Sequence, residues 1–410
     1  MKVIKNSIEM LGILKENKRL IIYGGGTYGA ELRCELNLHG FYDYYVCDSN
    51  NEIGKYIHNF VSFEKLNELV KCSDICIIVA IKNSDAVKEI VEKIAALSDG
   101  QFDVERNIFQ YVPESRDELI ARRKREGLFN GSYYKTVMND KDAIQKLKDR
   151  IVGSEAFLFA RWGTIEGDIV YKIKAGVEPT SAEYFSLKQN AGVFPITKDV
   201  IDLYCETMGD AACEVDMLCV FYWQKHLNWW VQWFSRDTIL VSSGLEYPFF
   251  SDPWTKALEG LKVLVIHPFS ELIYKQYEKR EKLFVNHDVL PEFELITYKA
   301  VQSLGGNNDY KSWIEALKCM QNDIADINFD IALIGCGAYG MPLGAFIKKE
   351  LHKKAIHMGG SLQILFGIKG RRWESESYDY QHKLYNEYWV RPTEDLKPKG
   401  YENVEDGCYW

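Results

Sequence analysis

No apolar run in this 410-residue chain approaches the ~20 residues that cross a bilayer, which excludes a transmembrane helix from the reading. The opening stretch, MKVIKNSIEMLGILKENKR, is interrupted by charge throughout and has neither the apolar centre nor the cleavage site of a signal peptide. The ten cysteines form no CxxC pair and no regular framework; Cys76, Cys219 and Cys336 sit in apolar segments. Neither a zinc site nor a disulfide scaffold is indicated, and a reducing cytoplasm is the fitting compartment. Positive charge is in the minority, 50 Lys and Arg against 59 Asp and Glu. The resulting net charge of −9 argues against a general nucleic-acid binder. There is also no internal repeat and no low-complexity tract.

What is present describes an ordinary globular protein, 47% hydrophobic and 27% charged, with length enough for two cores. Aromatic residues are plentiful, with ten Trp and twenty-five Tyr. They concentrate in FYWQKHLNWWVQWF, Phe221 to Phe234. Such a run either fills a core or stacks on the apolar faces of sugar rings, and core packing is the commoner use.

Residues 1–113 read as a first α/β domain. RLIIY (Arg19–Tyr23) is a strand, GGGTYG a turn and Ala30–Leu38 a helix. Strands follow at Tyr44–Cys47 and Asp74–Ala80, then a helix over Asp85–Leu97 and a closing strand over Asn107–Tyr111. Residues 114–150, with ESRDELIARRKREG, read as a charged helical connector. A second domain over 151–375 includes strands at Ala156–Ala160 and Lys262–Ile266. The tail, 376–410, packs as a helix or wanders over the surface. Strands alternating with helices predict two Rossmann-like α/β domains, each a mostly parallel sheet flanked by helices.

The richest stretch runs from Phe329 to Trp373. A buried strand (Ile331–Ile334) meets glycines at Gly335, Gly337 and Gly340, with Tyr339 among them, and a helix from Leu343 to Leu351. A second strand, Lys354–Met358, carries His357 and runs into Gly359 and Gly360, another helix, and the cations Lys369, Arg371 and Arg372. Strand, glycine turn and helix aim backbone N–H groups at a phosphate, so the pattern suits a doubly phosphorylated ligand. The same glycines also serve if they only let helices pack closely on the sheet. His267 ends another strand, in VIHPF, and suits a general base or a phosphate donor; capping its own loop is the alternative.

In the first domain, Gly24, Gly26 and Gly29 match G-x-G-x-x-G between a strand and a helix, and Asp48 stands where a ribose-binding acid falls. This marks a candidate nucleotide or NAD(P) site. The segment IYGGGTYG…DSN, within about 18–112, resembles the small Rossmann-like domains attached to bacterial sugar-modifying enzymes and glycosyltransferases. In such domains the turn is also kept for purely structural or docking roles.

FLFARWGTIEGD, NAGVFP, DPWTKALEGLKVLVIHPF, GCGAYGMPLG and IHMGGSLQILFGIKGRRW together resemble the GT-D-like glycosyltransferase domain, over roughly residues 150–375. The resemblance is to a polysaccharide-locus branch, so transfer activity comes by analogy of fold. It implies a nucleotide-sugar donor, a glycan or lipid-linked acceptor, and cytoplasmic work with peripheral membrane association where the acceptor is lipid-linked. The family's turn reads Arg-aromatic-Gly-Asp-x-Glu. Arg161, Trp162, Gly163 and Glu166 match it, and Thr164 replaces the first acid. A single carboxylate is a poor Mn²⁺ or Mg²⁺ site. Either Asp168 restores a pair with Glu166 along an extended segment, or Arg161 and the 369–372 cations replace the metal, or catalysis is lost. The alternatives to glycosyl transfer are an NAD(P)-dependent sugar-modifying enzyme and a non-catalytic binding partner of a glycan-assembly complex.

Overall fold

The computed structural model describes residues 1–5, 7–14, 19–71, 74–97, 102–129, 134–235, 237–250, 252–307, 309–375, 381 and 383–410. They form two compact units, Met1–Arg122 with Tyr171–Pro179, and Arg123–Val170 with Thr180–Trp410. Among the described residues, no helix is long and apolar enough to cross a membrane.

The first unit carries β1 (Lys2–Ile4), β2 (Arg19–Tyr23), β3 (Tyr44–Cys47), β4 (Phe60–Val61), β5 (Ile75–Val79) and β6 (Ile108–Tyr111). They lie in the order β1-β6-β5-β2-β3-β4, every neighbouring pair parallel. Alternate residues of the central strands feed two cores, one on each face of the sheet. Leu20, Ile22, Cys76 and Ile78 belong to one, and Ile21, Tyr23, Ile77 and Val79 to the other. Helix Ser84–Leu97 buries Val87, Ile90 and Ile94, the spacing of one helical stripe.

The segment after Glu114 is not one helix. Helices Arg116–Glu126 and Asp140–Val152 flank a short antiparallel pair, β7 (Leu128–Phe129) and β8 (Tyr134–Lys135). The second unit then builds β9 (Leu158–Arg161), β10 (Met217–Val220), β11 (Ile239–Ser242), β12 (Lys262–His267), β13 (Glu294–Lys299), β14 (Ile331–Ile334) and β15 (Lys354–His357). Their order is β11-β10-β9-β15-β14-β12-β13, again all parallel. The chain moves outward from β9 to one edge, restarts at β12 beside the other edge, and fills the middle last with β14 and β15. Both units therefore have the Rossmann-like α/β architecture that the strand–helix alternation predicts.

Among its described residues, the tail neither wanders nor forms a long helix. It runs through short 3₁₀ turns at Glu394–Leu396 and Tyr401–Asn403, and Trp389, Val404 and Trp410 join the core of the second unit. Residues 376–380 lie outside the described set.

Candidate functional site

Four adjacent strands of the second sheet, β9, β15, β14 and β12, end at one cavity of about 790 Å³, its open mouth included. The chain leaves β9 toward β10 and β12 toward β13, opposite ways along the sheet. Between such strands an open parallel sheet leaves a crevice at its carboxyl edge, where ligands bind. Each strand delivers one polar or glycine residue to the lining. Arg161, His267 and His357 are the last residues of β9, β12 and β15, and Gly335 follows β14. Gly163 and Glu166 line it from the start of helix Thr164–Lys174, with Gly337 and Tyr339 from the turn before helix Gly340–Lys349. Gly359 and Gly360 close the circle after β15. Gly340 does not line the cavity; it backs onto His357, whose Nε2 would lie 2.2 Å from an added Cβ.

The charges are closely arranged. Arg161 Nη1 donates to Glu246 Oε2 at 3.3 Å, and its Nε lies 3.2 Å from Oε1. The guanidinium stacks on Phe221, 4.9 Å from the ring centre. On Gly359, at φ +62°, an added Cβ would come within 3.0 Å of Arg161 Cδ, so glycine serves both the turn and the fit. Burial works against the Arg161 charge, but Glu246, Cys219 and two tyrosines outweigh it and raise its pKa. Glu166 folds back over Gly163, where an added Cβ would lie 2.1 Å from Oε2. Burial raises the Glu166 pKa, so the carboxylate is a stronger base than usual.

His267 accepts the Phe269 N–H on Nδ1 at 3.0 Å, which fixes its proton on Nε2. Burial pushes its pKa down to about 3, so the ring is neutral at pH 7. The Nδ1 contact is the capping of its own loop given above as the alternative to a general-base role. The lone pair is occupied, and a single N–H donor remains. His357 is likewise neutral, pushed down to about 3 by burial and then by Arg161. Ser303 donates to Gly192 O at 2.7 Å, which leaves the Tyr339 hydroxyl to donate to Ser303 Oγ at 3.0 Å.

Asp168 is placed elsewhere. Residues Thr164–Lys174 form a helix, not an extended segment, and two residues along a helix rotate a side chain by about 200°. Asp168 Oδ1 lies 2.7 Å from His226 Nδ1 and is absent from the cavity lining. None of the three cations lines the cavity, although Arg372 stands behind the lining residue Tyr409 and its charge reaches Glu166 and Glu246. Lys369 lies over Tyr385, Arg371 donates to Asp406 O at 2.7 Å, and Arg372 pairs with Glu405 and covers Tyr409 at 4.6 Å. Among the described residues, no three His, Cys, Asp or Glu side chains gather as a metal site. With Glu166 the single carboxylate in the lining and Glu246 turned to Arg161, the donor set does not fit a resident Mn²⁺ or Mg²⁺.

Several site residues escape sequence reasoning. Glu246 lies in a 3₁₀ turn, Ser243–Glu246, directly after β11, and its strand-end position is the one signal available. Tyr409 lines the cavity from the tail, and Gln363 holds it there by donating to Tyr409 O at 3.1 Å. Asn190 and Ala191, from the NAGVFP stretch, also line it. In the aromatic run, Trp230 and Phe234 are buried and pack on Trp162 with ring centres 5.7 and 5.6 Å away, whereas Phe221, Tyr222 and Trp233 are half-buried and Trp223 is exposed.

In the first unit the glycine turn is knit to the sheet. Gly25 N–H donates to Asp48 Oδ2 at 2.7 Å and Asn50 N–H to Oδ1 at 2.8 Å. An added Cβ would strike Ala80 O at 2.7 Å from Gly24 and Gly24 O at 1.7 Å from Gly29, whereas one on Gly26 meets nothing within 4 Å. No family model, curated protein or solved structure matches the chain.

Proposed function

We propose that the second unit is a glycosyltransferase-like enzyme of glycan or surface-polysaccharide assembly, taking a nucleotide-activated sugar into the cavity at the carboxyl edge of its sheet. The observation that carries this reading is the convergence of Arg161, Glu166, His267 and a glycine turn on one cavity from separate strand ends. Arg161, the His267 Nε2–H and backbone N–H groups of the lining turn Cys336–Gly337 would hold the donor diphosphate. Glu166 would take the proton of an acceptor hydroxyl as its oxygen bonds to the anomeric carbon. The bond from that carbon to the diphosphate oxygen breaks, and the diphosphate leaves with the electron pair. The likeness of Arg161, Trp162, Gly163 and Glu166 to the GT-D-like turn supports the assignment. The acceptor is a glycan, free or lipid-linked.

A second reading, NAD(P) binding in the first unit, has Gly26 in its favour. Its Cβ position is open, so nothing among the described residues requires glycine there. Thermal-shift and calorimetric screening against UDP, GDP, CMP, UDP-sugars and NAD(P), all in EDTA, tests both. At one hundred times the dissociation constant, a ligand adds about 2.7 kcal/mol to stability, which registers clearly. A nucleotide or nucleotide-sugar response lost in Arg161→Gln supports the transferase. Glu166→Gln should then abolish transfer or donor hydrolysis while keeping donor affinity. Stabilisation by NAD(P) alone would overturn the transferase reading.

A further inference from the structure

Arg161 is the one lysine or arginine among the residues lining the cavity, and its counter-ion is built in. Glu246 is 1% exposed, so it cannot trade this partner for water. It faces Arg161 through both carboxylate oxygens, at 3.2 and 3.3 Å. Cys219 Sγ, also buried, lies 3.6 Å from Oε1 as a weak donor. Phe221 and the backbone of Gly359 confine the guanidinium. The arrangement fixes the aim of Arg161 and sets a buried opposite charge against it, with Arg372 behind Tyr409 as the other cation felt at Glu246. Both histidines at the strand ends are neutral and add no positive charge.

Resting on the reading of the cavity as a donor site, we propose that Glu246 is a positioning residue that sets the ligand charge the site prefers. A phosphate reaching the outer edge of Arg161 stands within a guanidinium's width of a buried carboxylate. In a partly desolvated site that repulsion is screened far less than in water. It grows with each negative charge on the ligand. A sugar diphosphate diester carries about two charges at pH 7, and the nucleoside diphosphate left after transfer carries about three, because its terminal phosphate has a second ionisation near pH 6. The built-in carboxylate therefore disfavours the product relative to the donor and speeds its departure.

The test is Glu246→Gln, which keeps the shape and one acceptor for Arg161 while removing the charge. Titration with inorganic pyrophosphate in EDTA, followed by calorimetry, reads the anion affinity without reference to any nucleotide. The expected result is at least a tenfold gain over the wild type. The double variant Arg161→Gln/Glu246→Gln should abolish that gain. A merely structural role for Glu246 predicts unchanged or weaker binding, and either outcome overturns the proposal, as does pyrophosphate binding to neither protein. If Glu246→Gln does not fold, the wild type decides: a nucleoside diphosphate from the screening panel bound tenfold tighter than its sugar ester would sink the idea. A panel with no nucleotide response defeats the donor-site reading, and the pyrophosphate arm still judges Glu246.

Discussion

His267 and His357 end two strands of one sheet, and burial holds both at a pKa of about 3 instead of the ordinary 6.5. The unfolded chain takes up a proton at each below about pH 6.5, and the folded chain does not until about pH 3. Their contribution to stability is complete above pH 6.5 and is lost as the pH falls toward 3, by up to about 1.4 kcal/mol per unit for each histidine. Glu166 and Glu246, whose pKa values are raised, act in the opposite sense, so variant and wild type must be compared at each pH. His267→Gln should flatten the fall in urea midpoint between pH 6 and pH 4, followed by tryptophan fluorescence. Identical slopes would show that the ring is protonated in the native state.

Helix Thr164–Lys174 decides which acids meet the cavity, and it is the element least legible in the sequence. GTIEGD has two glycines and a β-branched pair, which read as a turn, and only tertiary packing winds it into a helix. Once wound, Glu166 and Asp168 part company. Asp168→Asn should accordingly leave donor affinity and its indifference to Mn²⁺ unchanged, while weakening the contact to His226 by roughly 1–2 kcal/mol in thermal denaturation. A Mn²⁺-dependent loss of donor affinity in this variant would return Asp168 to the site. Strands were far easier to read. Arg19–Tyr23, Tyr44–Cys47 and Ile331–Ile334 stand where their apolar, β-branched runs place them, because a strand buried on both faces needs no partner to be recognised. The strand ends in turn located His267 and His357, while Arg161 was found through the resemblance of its turn. Glu246 and Tyr409 stayed hidden because only long-range pairing brings them to the cavity, and the tail partners of Arg371 and Arg372, more than thirty residues on, were equally out of view.

At the scale of the whole molecule, two parallel sheets each present a glycine turn, and they differ in what glycine does. Gly24 and Gly29 are needed by the first unit itself, whereas Gly26 sits at φ −73° with open space around its missing side chain. Gly26→Val should cost about 1 kcal/mol or less, as an unfavourable helix N-cap, while removing any dinucleotide binding by the first unit. NAD(P) stabilisation that survives this change would exclude the turn as its site. The second sheet carries a different consequence in its strand order. β9 takes its neighbour from β15, pairing Leu158 with Ala355 and Phe159 with Ile356, about 200 residues later in the chain. A ribosome must therefore release most of the protein before the centre of this sheet exists, and until then β9 and β14 expose unpaired edges to every passing strand. Nascent chains stalled with residue 350 outside the exit tunnel should be cut readily by protease in the second unit, while those with residue 410 outside resist. Synthesis at low temperature or with holdase chaperones should raise the yield of this unit far more than that of the first, whose sheet closes within its first 111 residues.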